Sequence, residues 1–141
     1  MNARVAAIAV GLITLALALA GLVYPERVMG LLGFTVQNAA HTAAVLGEVR
    51  ATYGGIFLVL GVATLVAAAN PSANRGRLAF LGLVWLGALA ARLFGVSVDG
   101  NPGLPGWMSA TFEAAMGGTL LAAAQAATPP GAQPVAPLET H

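Results

Sequence analysis

Long apolar runs separated by short polar punctuation dominate this chain. Crossing roughly 30 Å of hydrocarbon takes about 20 residues of α-helix at about 1.5 Å of rise per residue. Four windows meet that length: Val5 to Val23, Ala43 to Ala69, Leu78 to Val98 and Trp107 to Ala127. The first carries no charge, the second has Glu48 and Arg50 near its start, the third contains Arg92 and the fourth Glu113. None alternates polar and apolar positions as a lipid-facing strand does. Backbone groups in lipid must be satisfied internally, which continuous helices achieve. The pattern therefore predicts an all-α, integral membrane four-helix bundle over residues 1–127.

The punctuation reads as connections. Tyr24-Pro25-Glu26 ends the first span, and Pro25 to Phe34 reads as a short interfacial helix on which Val28, Leu31 and Leu32 share a face. Asn70-Pro71-Ser72 stops the second span. Asp99 to Gly106, with two prolines and three glycines, is a turn-rich loop, and Trp107 opens the last span as a belt aromatic. From 128 to 141 the chain is proline-rich without helical periodicity, which predicts a disordered tail. A competing reading of the first span is a cleaved signal peptide, with Ala18-Leu19-Ala20 as the cleavage site. Its apolar run is longer than the about 7–15 residues of an ordinary signal core, which favours a retained span.

Composition strengthens the membrane reading. Hydrophobic residues make up 58% of the chain and charged residues 8%, against about 25% charged in soluble domains. The net charge of +1 and the lack of a basic cluster exclude a nucleic-acid partner. There is no cysteine, so disulfides, thiol catalysis and cysteine metal sites are excluded, and no lysine, so Schiff-base chemistry is excluded as well. His41 and His141 stand alone, and a metal site needs several converging ligands. No metal and no cofactor is expected, and no dinucleotide fingerprint, P-loop or catalytic triad is present. Arg4, Arg75 and Arg77 lie on one side of the predicted bundle and only Arg27 among the opposite loops, so the positive-inside rule places both termini in the cytoplasm.

The ionisable residues of the spans gather in one half. Arg92 lies about two turns before the end of its span and Glu113 about two turns after the start of the next, each roughly 9 Å below the same boundary. A charge at that depth is costly unless paired or hydrated, so Arg92 and Glu113 are expected to pair. Glu48, Arg50 and Tyr53 begin the second span on the same side, and Asp99 lies one heptad past Arg92. Glu48 and Arg50, two positions apart, point to nearly opposite sides of one helix. Glu48 is expected to face inward and Arg50 to reach Asp99 or the headgroups. Plainer roles compete: snorkelling for the arginines, a turn role for Asp99 and a belt role for Tyr53. Small residues at Gly54 and Gly61, and at Ala110, Ala114, Gly118 and Ala122, predict close helix packing, with a homo-oligomer seam as the lesser alternative.

The stretch Glu48-Val49-Arg50-Ala51-Thr52-Tyr53-Gly54-Gly55, followed by Arg92, Asp99-Gly100-Asn101-Pro102 and Glu113, resembles a family of small bacterial four-span membrane proteins catalogued as a domain of unknown function. The resemblance covers roughly residues 5–127 and transfers no activity. It implies that Glu48, Arg50, Tyr53, Arg92, Asp99 and Glu113 belong together, in a bacterial inner membrane protein.

Four functions compete on these residues. The favoured one is a binding module whose charged pocket, in the extracytoplasmic half, takes the head of an amphipathic lipid, isoprenoid or quinone. The runner-up is an enzyme using Glu48 or Glu113 as acid or base on a lipophilic substrate, with Arg92 stabilising developing charge. A small transporter and a subunit of a larger membrane complex are weaker alternatives. Whether any reaction is catalysed stays open at this level.

Overall fold

The computed structural model describes residues 2–34 and 39–127. The proline-rich stretch from 128 lies outside the described residues. The described residues are helical with no strand: α1 (Ala3–Val23), α2 (Pro25–Leu31), α3 (Ala39–Val49), a π-helical segment (Arg50–Ile56), α4 (Phe57–Ala69), α5 (Arg75–Asp99) and α6 (Gly103–Ala126). The α3, π and α4 segments follow one another without a break, so the described residues form five helical rods, four long and one short.

Local chemistry sets the ends of these rods. Asn2 caps α1 by accepting a hydrogen bond from the Arg4 amide at 3.1 Å. Proline at position 25 cannot continue a helix from the preceding turn but suits a first helical position, so α1 stops and α2 starts there. Arg27 lies over the Tyr24 ring, 5.1 Å from its centroid, at this junction. Asn70 and Asn74 close the α4–α5 turn: the Asn74 side-chain amide donates to the Asn70 carbonyl at 2.9 Å, and Asn70 Oδ1 accepts from the Ala73 amide at 3.3 Å. Between α5 and α6, Gly100 takes a positive φ of 94°, and Asn101 Oδ1 accepts from both the Gly103 amide (3.1 Å) and the Trp107 indole (3.0 Å).

α1 packs chiefly on the π segment and α4, α5 chiefly on α6, and the two pairs are joined through α1 with α6 and α4 with α5. Glycines set the closest approaches. A Cβ on Gly21 would fall 2.6 Å from the Tyr53 carbonyl carbon, and one on Gly117 2.9 Å from the Gly82 carbonyl oxygen. Gly54 and Gly61 receive Leu22 and Leu15 of α1, as their spacing predicts. The stripe expected on the last helix is displaced. Ala110 is buried, but Ala114, Gly118 and Ala122 are exposed, and Gly117 makes the close contact instead. The buried face of α6 runs Ala110, Glu113, Gly117, Leu120 and Ala124, a spacing of three or four residues. A period-four count drifts off this face, because a turn holds 3.6 residues.

The core lies at the end where α1 and α5 begin and α4 and α6 finish. Ala7, Ala67, Ala68, Leu78 and Leu120 are fully enclosed there. Thr14 and Thr64 are buried as well, and each hydroxyl donates to the carbonyl four residues back in its own helix at 2.8 Å, so neither polar group is orphaned.

Among the described residues, three helices are long and apolar enough to cross a membrane: Ala3–Val23, Thr42–Ala69 and Arg75–Asp99. Only 39%, 28% and 17% of their most apolar windows are buried inside the fold, so most of that apolar surface faces outward, where lipid rather than water would suit it. α6, at 24 residues, matches them in length. It is less apolar, since Glu113, Gln125 and the pair Gly117-Gly118 interrupt it.

Candidate functional site

Arg92 and Glu113 meet as expected. Arg92 Nε donates to Glu113 Oε2 at 3.0 Å and Nη2 donates to Oε1 at 2.6 Å, a side-on bidentate pair. It is the one ion pair among the described residues. Glu113 is buried, whereas the Arg92 side chain keeps 29% of its surface accessible. The long α5–α6 contact places the two residues at one level, because the Gly82–Gly117 approach sets the register of the two helices.

The pair sits at the edge of an open cleft of about 330 Å³, at the end of the molecule opposite the core. Three surfaces wall the cleft: the last turns of α1, Val28 and Leu31 of α2 with Leu32 just beyond it, and the first half of α6. Along one side run four aromatic rings in successive edge-to-face contact. Tyr53 meets Phe57 at 5.4 Å between centroids, Phe57 meets Trp85 at 5.1 Å, and Trp85 meets Phe112 at 5.4 Å. Tyr53 and Arg92 both line the cleft. Arg92 and Glu113 are the charged residues of the lining.

Of the six residues singled out in the sequence, Tyr53, Arg92 and Glu113 come together. Glu48, Arg50 and Asp99 are exposed and do not line the cleft. Glu48 was expected to face inward, and it does not. Nor do Arg50 and Asp99 form an ion pair among the described residues. Packing on α1 accounts for Glu48: Gly54 and Gly61 receive Leu22 and Leu15, so the face of Tyr53 and Phe57 turns inward and Glu48, on another face, stays exposed. The π segment begins at Arg50, and its wider turns carry Arg50 away from the face of Tyr53. A carboxylate pair of Glu48 with Glu113 is therefore absent. Asp99 is the last residue of α5, and the turn after it is made by Gly100 and Asn101.

Three aromatic members of the cleft, Phe57, Trp85 and Phe112, were not anticipated as site residues. Signals for them exist in hindsight. Trp85 precedes Arg92 by one heptad and so shares its face, Phe57 follows Tyr53 by one turn, and Phe112 adjoins Glu113.

No curated protein and no solved structure matches this chain. A family model does match, over residues 2–124, a region that holds every described helix except the last residues of α6. The chain thus belongs to the family described as a domain of unknown function, DUF4345.

Proposed function

We propose that this protein is a four-span protein of the bacterial inner membrane, with both termini in the cytoplasm, that binds an amphipathic lipid-like or isoprenoid molecule in the cleft beside Arg92 and Glu113. α6 is the fourth span in this reading. Its length suffices, and its one carboxylate is neutralised by Arg92 rather than offered to lipid. The arginine distribution supports a cleft in the extracytoplasmic half, since Arg4, Arg75 and Arg77 belong to the core end.

The observation that carries the reading is the cleft itself: apolar and aromatic walls over one polar spot contributed by two helices. Small-molecule sites have this composition, with few polar groups that orient and a large apolar area that binds. Its rim is apolar and open. Leu31 and Met108 both line the cleft, and they are 79% and 64% exposed. A tail can therefore leave the cleft sideways into the bilayer while the head stays near Arg92.

Thermal unfolding of the purified full chain tests this. Added isoprenoid or lipid amphiphiles raise Tm in proportion to the logarithm of their concentration once the site fills. Arg92→Gln and the cleft-filling Leu32→Trp each abolish that rise. Equal stabilisation of both variants and the wild type by the same amphiphiles would refute a site at the cleft.

A further inference from the structure

We propose that the head accepted by this cleft is an uncharged ring bearing a carbonyl acceptor, a quinone-like head, and not a phosphate, carboxylate or amine. The inference rests on the cleft reading above and adds the chemistry of the head.

Charge is the first ground. Both Glu113 oxygens are engaged by Arg92 Nε and Nη2, so the two charges neutralise each other within hydrogen-bond distance. No further charged side chain lines the cleft. A charged head moving in from the membrane surface would give up its hydration and meet no net opposite charge. Attraction to one member of the pair is offset by repulsion from the other. A neutral head carries no such penalty.

Hydrogen-bonding capacity is the second. Arginine is a donor only, with five N–H groups. Arg92 Nη1 makes no hydrogen bond among the described residues, and no buried side-chain nitrogen or oxygen is left without a partner, so Nη1 reaches accessible space. Tyr53 lines the same cleft. The Ser109 hydroxyl is already turned away, donating to the Pro105 carbonyl at 3.0 Å. What the polar spot offers is a donor seeking an acceptor, which a carbonyl oxygen supplies without bringing charge.

Shape is the third. The four rings from Tyr53 to Phe112 form a continuous aromatic wall beside the ion pair. Planar rings pack on such walls by offset or edge contacts. A volume of about 330 Å³ holds a substituted ring and the start of a tail.

Calorimetric titration of the full chain in detergent tests the proposal with three probes that share a decyl tail: decylubiquinone, decyl phosphate and decylamine. Decylubiquinone binds saturably and at least about ten-fold more tightly than either charged probe. Tighter or equal binding of the phosphate or the amine overturns the assignment of the head and leaves the cleft as a lipid site. Saturable binding of none of the three overturns the cleft reading together with this one. Glu113→Gln frees the guanidinium and makes the site cationic, so the order shifts toward decyl phosphate. An unchanged order in a folded Glu113→Gln variant also overturns the proposal. Should that variant not fold, the wild-type panel decides alone.

Discussion

The two ends of the bundle are built from the same apolar alphabet and behave differently. At the core end the helices meet through alanines and glycines, with Leu78 and Leu120 filling what remains. Small side chains let backbones approach until no gap is left. At the cleft end the contacts are made by large rings, Tyr53, Phe57, Trp85 and Phe112, which touch edge to face. Rings in that geometry cannot interlock as tightly as alanines, and a space of about 330 Å³ stays open beside them. Trp85 belongs to both ends, packed in the core cluster and lining the cleft.

Polar groups divide the same way. The core end tolerates Thr14 and Thr64 only because each bonds to its own helix. The cleft end holds a full ion pair between two helices. Side size, more than hydrophobicity, thus decides which end closes, and the open end is where a charged pair can be kept partly accessible.

That contrast can be broken or sharpened by mutation. The largest effect belongs to the cleft end. Arg92→Ala strands Glu113 as a buried charge and is expected to cost about 3–5 kcal/mol of stability. Denaturant or thermal unfolding in detergent measures it. The double variant Arg92→Met with Glu113→Met removes both charges and recovers most of the loss. A double variant no more stable than Arg92→Ala would mean that the stranded charge is not the cause.

Packing comes next. Leu120→Ala opens a hole where the core is fully enclosed and costs about 3 kcal/mol. Leu32→Ala, on the wall of a space already open, costs less than about 1 kcal/mol. Similar losses at the two sites would erase the distinction between a closed and an open end. Two neighbouring glycines draw the same contrast on one helix. Gly117→Ala presses on Leu86 and on the Gly82 carbonyl and costs about 1–3 kcal/mol. Gly118→Ala meets nothing within 4 Å and gains about 0.5–1 kcal/mol of helix stability. A loss at Gly118→Ala as large as that at Gly117→Ala would place the α5 contact on the wrong face of α6.

Helix positions and levels were legible along the chain because both are local properties. Apolar run length marks where a rod starts and stops, and a constant rise per residue puts Arg92 and Glu113 at one level once a short loop joins their helices. That reasoning needs no knowledge of neighbours, and the bidentate pair agrees with it. The same local rules located α2, but the loop expected over Asp99–Gly106 shrinks to residues 100–102, because α5 runs on to Asp99 and α6 already starts at Gly103.

Which way a side chain faces is a different kind of quantity, and here only the tertiary structure decided. Azimuth accumulates along a helix, so one stretch of wider turns rotates everything beyond it. The π segment from Arg50 to Ile56 turns Arg50 away from Tyr53 in this way, and Glu48 stays outside the cleft because the face of Gly54 and Gly61 is the one that packs on α1. On α6 the contact with α5 selected Gly117 over the period-four stripe through Gly118. The cleft has no local signature at all. It exists between α1, α2, the π segment with the start of α4, α5 and α6, where rings brought from distant positions in the chain fail to close the space that alanines close at the other end.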